Sequence, residues 1–379
     1  MGCDTFAPNI NGAARFAERL SAGLVQRGHT VHVSAPNVRY ALEDPRIERI
    51  EGEDLVVHRL PSVLWLGHEW LRFVWPWRSK HYARKVLDAV RPDVVHIQSH
   101  IVIGRGLTRE ARKRGIPVIA TNHTMAENIL DFTRLPEWGN KIFVKLAWDD
   151  AKRTFDMAAA VTTPTRKAAD FLEQTIDISG VIPISCGIDK AQYTAEMGPR
   201  DVKRVVFVGR LTTEKRVDEL LRATARIPDV ILEVVGDGDQ RDVLANLASE
   251  LGITGRVVFH GAVSDAELRA ALTRASVFAI ASIAELQSIA TMEAMASGLP
   301  VVAADAVALP HLVTDGENGY LFEPGNVDEL TDRLNRVLDA SPEEYERMQR
   351  ASLRMVDAHD ITRTLDTFEA LYRGEQIPA

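Results

Sequence analysis

Short apolar strands alternate with helix-length segments twice along this chain, and that double series limits the fold more than any other feature. The first series predicts strands at 31–34, 93–97, 118–121, 159–162 and 181–184, with an amphipathic helix over 13–27 closed by Gly28. The second predicts strands at 204–208, 231–235, 257–260, 277–280 and 301–303. Runs this short and this rich in β-branched residues build parallel sheets covered on both faces by crossover helices. The chain is therefore α/β, with two doubly wound units. Its 379 residues agree, because domains commonly hold about 100–200 residues each. Between the series, 189–201 has few periodic apolar positions and carries Gly198-Pro199, which marks a linker. The expected division is a first domain over 1–188, a linker over 189–200, a second domain over 201–357 and a closing segment over 358–379.

Composition removes several classes. Apolar residues make up 46% and charged residues 26%, a globular balance. No apolar run approaches the roughly 18–20 residues that cross a bilayer. Cys3 and Cys186 alone build neither a disulfide framework nor a structural zinc site. The net charge of −8 argues against nonspecific nucleic-acid binding. Residues 1–185 hold 25 Lys+Arg against 21 Asp+Glu, a net +4, and the rest carries −12, so the two halves suit different partners. The N-terminus has no signal-peptide pattern, which makes the cytosol the expected compartment. Only Met1-Gly2-Cys3 precede the first loop, Asp4-Thr5-Phe6-Ala7-Pro8, so the native first strand is expected to begin upstream of Met1.

Two stretches carry chemistry. Glu285 and Glu293 stand eight apart after the strand at 277–280, in a segment running on to Gly298 and Pro300. Glu285 is thereby expected in a loop at the carboxyl end of a parallel strand, where such sheets bind ligands. Glu293 is expected near the start of a helix. The amides of Gln287, Ser288 and Ile289 would open that helix toward an anion or sugar hydroxyls. The second stretch, Gly209-Arg210-Leu211-Thr212-Thr213-Glu214-Lys215, follows the first strand of the second series. Arg210 and Lys215 there suit a diphosphate, whose charge grows as it departs. Asp237-Gly238-Asp239 spells an acid-x-acid metal pattern, but it is expected to form the turn after the strand at 231–235. No metal is expected, and His96 and His100 lack a third ligand nearby.

Together these residues resemble the retaining family 4 glycosyltransferases of the GT-B fold. The resemblance covers nearly the whole chain. It rests on Asp4-Thr5-Phe6 with Pro8 and Gly12, Thr121-Asn122-His123-Thr124, Thr163-Pro164-Thr165, Gly187-Ile188-Asp189, Gly209-Arg210 with Glu214-Lys215, Gly236-Asp237-Gly238 and the Glu285/Glu293 pair. It implies two Rossmann-like domains facing across a cleft, with the last helix, 361–373, returning to the first domain. It also implies roles. Arg210 and Lys215 would bind the donor diphosphate. Glu293 would bind the donor ribose, and Glu285 the sugar hydroxyls. Gly12 would let the first loop approach the phosphate, and His123 would sit near the reacting centre. Gly236 and Val263 would border the nucleotide base. The donor would be UDP-hexose or GDP-mannose, with no further cofactor. Substitution would proceed with retention on the front face, the leaving diphosphate taking the acceptor proton. One departure stands out: members often carry Phe-Gly where this chain has Gln287-Ser288, so Ser288 must adopt its backbone conformation without glycine's freedom.

The acceptor is expected in the first domain. Four of the six tryptophans, Trp65, Trp70, Trp75 and Trp77, fall within 64–85, followed by Arg78, Lys80, His81, Arg84 and Lys85. Aromatic residues beside cations suit an anionic membrane surface; a partly buried aromatic loop is the alternative. His123-Thr124-Met125, Glu127-Asn128 and Thr163 to Lys167 are similar to bacterial enzymes that glycosylate diacylglycerol or related lipids. A membrane lipid acceptor, diacylglycerol or a phosphoinositide, is thus expected, with peripheral attachment to the cytoplasmic membrane face. A soluble inositol phosphate or saccharide acceptor, a nucleotide-sugar 2-epimerase and a non-catalytic binding protein are the competing readings.

Overall fold

The computed structural model describes residues 1–9, 11–64, 72–123 and 137–377. It divides into two compact units, Met1–Ser185 with Thr364–Ala379 and Cys186–Arg363. The first unit contains helices α1 (Gly12–Gln26), α2 (Pro76–Val90), α3 (Ile103–Lys113), α4 (Glu137–Phe155) and α5 (Arg166–Ile176). Its strands are β1 (His32–Pro36), β2 (Arg46–Ile50), β3 (Glu53–Leu60), β4 (Ser62–Leu64), β5 (Arg72–Val74), β6 (Val95–Ile97), β7 (Val118–Thr121), β8 (Ala160–Thr163) and β9 (Ile182–Pro183). The order β2-β3-β1 and the order β6-β7-β8-β9 are joined through Gly2, which bridges Ser34 and Ile97 in parallel. Gly2 N–H donates to the His96 carbonyl at 2.8 Å, and Cys3 N–H to that of Ser34 at 2.9 Å. Met1-Gly2-Cys3 thus lies as a short central strand. Only β2 runs antiparallel in this sheet, and β4 pairs antiparallel with β5 beside it.

The first unit also holds most of the last helix. Within α12 (Ile361–Tyr372), Phe368 is fully buried with its ring 5.8 Å from Phe16. Leu365 packs directly on Gly23; a Cβ there would come within 2.7 Å of its terminal methyl, which would have to move aside. Arg27 Nη1 pairs with Asp366 at 2.7 Å and with Glu369 at 3.0 Å. The Tyr372 hydroxyl sits 2.7 Å from His96 Nδ1.

The second unit contains β10 (Arg204–Val208), β11 (Ile231–Val235), β12 (Val257–Gly261), β13 (Val277–Ile280), β14 (Val301–Ala304) and β15 (Gly319–Phe322). Helices α6 (Val217–Arg226), α7 (Arg241–Glu250), α8 (Asp265–Arg274), α9 (Ile289–Ala296), α10 (Val327–Leu338) and α11 (Pro342–Val356) alternate with and follow them. All neighbours in the order β12-β11-β10-β13-β14-β15 are parallel. In chain order that is 3-2-1-4-5-6, the arrangement of dinucleotide-binding sheets, and it reverses direction between β10 and β13. Phe207 and Phe278 on these two central strands are both fully buried. Burying a side chain of that size stabilises by about 1.5–3 kcal/mol.

The strands expected at 204–208, 231–235 and 277–280 form at those bounds. Five strands were not anticipated: β2, β3, β4, β5 and β15. β2 reads Arg-Ile-Glu-Arg-Ile, whose charged residues make it look like solvated loop, and β15 opens on Gly319. Gly319 is required there, since a Cβ would sit 1.8 Å from the Val301 carbonyl oxygen across the ladder.

Candidate functional site

The second unit places its loops at the reversal point. β10 ends at Val208 and releases Gly209-Arg210; β13 ends at Ile280 and releases the segment that leads to Glu285. Ligands of such sheets bind in the crevice outside the carboxyl ends of these two strands. Glycines let the backbones crowd there. Gly236 has φ +130°, and a Cβ on it would fall 1.9 Å from the Gly209 oxygen. A Cβ on Gly238 would fall 2.4 Å from the Leu211 oxygen. The Leu211 N–H donates to the Asp237 carbonyl at 3.0 Å. Gly236-Asp237-Gly238 is therefore the turn after β11, and it fixes the path on which Arg210 stands. Among the described residues, no group of three or more His, Cys, Asp or Glu side chains is placed to hold a metal ion.

Three of the expected residues converge. Lys215 ends a one-turn 3-10 helix, Thr213–Lys215, and its Nζ lies 2.5 Å from Glu285 Oε1. Both side chains are shielded, at 14% and 12% exposure, so the attraction is screened less than at an open surface. Arg210 Nη2 lies 3.7 Å from Glu214 Oε1, which also accepts the Thr212 hydroxyl at 2.6 Å. The Ile283 N–H donates to the Glu214 carbonyl at 3.1 Å, which ties the β10 loop to the β13 loop. The pairing of Lys215 with Glu285 spans 70 residues of sequence and left no local signal.

Helix α9 follows. Ser288 is its N-cap at φ −88°, an ordinary conformation for any residue, and its hydroxyl accepts the Thr291 N–H at 3.3 Å. The absence of glycine at this position therefore costs no backbone strain. Gln287 is buried, and its Oε1 accepts the Cys186 N–H at 2.7 Å. Ile289 is the first helical residue, which puts Glu293 in the second turn rather than at the start. Glu293 is 5% exposed, and Oε1 accepts the Tyr193 hydroxyl at 3.0 Å. Tyr193 was not singled out by sequence. Val263 is half-buried after β12, two strands removed from β10 in the sheet order.

The first unit holds the other candidates. His123 follows β7, with Nε2 3.0 Å from Gln98 Oε1 and its ring 4.8 Å from Phe16. Burial pushes its pKa down to about 3, so the imidazole is neutral near pH 7. Gly12 opens α1 behind the N-cap Asn11, and a Cβ on it would meet nothing within 4 Å. Packing does not demand that glycine; the space over the helix end is open. Trp75 caps α2 and stacks on Trp77 at 4.6 Å, with Trp77 71% exposed. Arg78 and Lys80 are exposed on the same helix. Trp65, Trp70, Thr124, Met125, Glu127 and Asn128 lie outside the described residues.

Comparison with known proteins follows the division of the chain. The model for "Glycosyltransferase Family 4" matches residues 10–192, and that for "Glycosyl transferases group 1" matches residues 192–355. A GDP-mannose-dependent alpha-mannosyltransferase of Mycolicibacterium smegmatis is 30% identical over 84% of this chain and 83% of its own. The alpha-monoglucosyldiacylglycerol synthase of Streptococcus pneumoniae is 25% identical over 96% of this chain and 83% of its own. Among solved structures, a sucrose-phosphate synthase from Thermosynechococcus elongatus superposes with a TM-score of 0.80. It is 19% identical and covers 98% of both chains.

Proposed function

The chain belongs to the group 1 and family 4 glycosyltransferases of the GT-B fold, and from that premise we propose that it moves a hexose, with retention, from a nucleotide-diphosphate sugar to a membrane lipid. A glycosyltransferase of this kind takes its sugar from a nucleotide sugar. The observation that carries the reading is the pairing of Lys215 with Glu285 beside Arg210 at the reversal point of the second sheet.

In this reading Arg210 and Lys215 hold the diphosphate, and Glu293 hydrogen-bonds the ribose. Glu285 serves twice: it orients Lys215 and takes hydroxyls of the sugar. The acceptor oxygen bonds to the anomeric carbon on the face from which the diphosphate leaves. The bond to the diphosphate breaks, and its departing oxygen takes the acceptor proton. Arg210 and Lys215 stabilise the charge that grows on that oxygen. No side chain has to act as nucleophile, and no metal is needed. His123, neutral, contributes hydrogen bonding rather than charge.

The lipid acceptor rests on two supports. Exposed Trp77, stacked on the half-buried Trp75, stands beside the exposed Arg78 and Lys80, as on a surface facing anionic lipid. A relative carries the name of a diacylglycerol glucoside synthase. No helix among the described residues is long and apolar enough to span a bilayer, so attachment would be peripheral.

The test is thermal unfolding with UDP, GDP, UDP-glucose and GDP-mannose, each with and without EDTA. A nucleotide at 100 times its dissociation constant adds about 2.7 kcal/mol of stability. Stabilisation by one nucleotide family, unchanged by EDTA, is expected. That donor with anionic vesicles containing diacylglycerol or phosphatidylinositol should then yield a glycolipid of retained configuration. No shift with any nucleotide overturns the donor assignment, and transfer to soluble acceptors alone overturns the lipid.

A further inference from the structure

We infer that Tyr193, on the segment that crosses into the second unit, is a positioning residue that sets the Glu293 carboxylate for the ribose of the donor; this rests on the donor reading given above.

The argument starts from Gly187-Ile188-Asp189. Gly187 turns the chain at φ +73°. Ile188 is fully buried and pairs with the backbone around Asp360: its N–H donates to the His359 carbonyl at 2.8 Å, and its carbonyl accepts the Ile361 N–H at 3.1 Å. Asp189 then caps a 3-10 turn, Lys190–Gln192, accepting the Ala191 N–H at 3.1 Å and the Gln192 side-chain amide at 3.0 Å. This capped turn delivers Tyr193 in an extended conformation, with its hydroxyl on Glu293 Oε1 at 3.0 Å. The same crossing segment grips the start of the donor loop as well, through the Cys186 N–H on Gln287 Oε1 at 2.7 Å. Three residues with no evident catalytic chemistry thus build a strut, and its far end is a phenol on the carboxylate that the donor reading assigns to the ribose.

The chemistry explains what the phenol does. The terminal torsion of a glutamate is broad, so a carboxylate rotates readily unless something fixes it. Glu293 is 5% exposed, and a buried carboxylate needs donors. A hydrogen bond from Tyr193 to one oxygen supplies one such donor and restrains the plane of the group. A vicinal diol then meets a carboxylate already oriented, and binding loses less ordering entropy. Gln287 is part of the same strut: its carbonyl oxygen is engaged by the backbone at residue 186.

The experiment compares Tyr193→Phe with the unaltered chain in the full protein. The probes are UDP and GDP, and their 2′,3′-dideoxy counterparts, titrated calorimetrically. Loss of a hydrogen bond to a charged group should weaken the ribose nucleotide that binds by about tenfold. Its dideoxy counterpart, which has no hydroxyls for Glu293, should bind both proteins alike. With the sugar donor, KM should rise while kcat stays within about twofold. A Tyr193→Phe variant that loses affinity equally for both nucleotides would show a merely structural role and overturn the inference; so would one that binds the ribose nucleotide as well as before. Glu293→Ala separates the two readings. If that variant leaves ribose-nucleotide affinity unchanged, the ribose assignment itself fails. If it weakens binding and Tyr193→Phe does not, the assignment stands and the strut alone is refuted.

Discussion

Apart from the antiparallel β2 and the edge strand β9 of the first, the two units' sheets run their parallel strands in the same order and differ in what stands at its reversal point. In the first, the Met1-Gly2-Cys3 strand and β6 part company there; in the second, β10 and β13 do. In the first unit, Asp4 stands directly after the central strand. Its carboxylate accepts the Ser99 hydroxyl and the backbone N–H groups of Val102 and Ile103, the latter at 3.2 and 2.9 Å. The positive end of α3 is thus already answered by a carboxylate from the chain itself. At the equivalent place the second unit puts Arg210, with Lys215 and Glu285 close by. The same topology therefore presents a buried acid at one reversal point and cations at the other. The sheet supplies the location, and the loops supply the sign of the charge.

The comparison breaks most visibly at the cations. Arg210→Ala or Lys215→Ala should each lower kcat on the order of 10²–10³, with little change in the melting of the first unit. Steady-state rates with the donor identified by thermal shift check this. Full activity in both variants would mean that the diphosphate does not sit at the second reversal point. Asp4→Ala acts on the other side. It removes a cap and leaves the Ser99 hydroxyl and two amides without their partner, at a cost of about 2 kcal/mol. Denaturation should show the loss in the first unit, while the nucleotide still stabilises the second. If Asp4→Ala folds normally and abolishes the nucleotide shift, the first unit holds the phosphate and the comparison is reversed.

Much of this was legible in sequence, for reasons that differ by region. The second sheet was readable because its central strands are buried on both faces, which forces continuous apolar runs such as Arg204–Val208 and Val277–Ile280. The edge strand β15 and the antiparallel β2 carry no such run. In the site, Arg210, Lys215 and Glu285 were readable as residue types after strand ends. Their arrangement was not, because the contacts join segments far apart in the chain: Lys215 with Glu285 across 70 residues, Tyr193 with Glu293 across 100. Gln287 shows the limit most clearly. Sequence placed it by its backbone amide at the opening of a helix and gave no sign that its side-chain oxygen holds a backbone amide of the crossing segment. Only packing reveals which way such a side chain turns.

Acid should also distinguish the units, by a smaller margin. In the first unit, burial pushes His58 and His100 down to about 4 and His123 to about 3, lowers His32, and lowers His96 well below its ordinary value. In the second, burial pushes His359 down to about 4 and lowers His311. A histidine whose folded pKa lies below its unfolded value, near 6.5, makes the unfolded chain bind more protons in between. Its contribution is intact above pH 6.5 and erodes as pH falls toward 4. Glu18 in the first unit runs the other way: burial raises it to about 7, so its contribution is present at low pH and lost as pH rises through that value. Five histidines against two carboxyls that burial raises, Glu18 and Asp4, in the first unit still outweigh two histidines against Glu219 in the second, so the first unit is the steeper. An excess of one proton corresponds to about 1.4 kcal/mol per pH unit. Hydrogen-exchange protection, corrected for intrinsic rates, should therefore fall faster in β1, β3 and β6 than in β10 and β13 between pH 6.5 and 5. Equal slopes would mean that these histidines take up protons without unfolding their surroundings, and that the two units differ in charge at their reversal points alone.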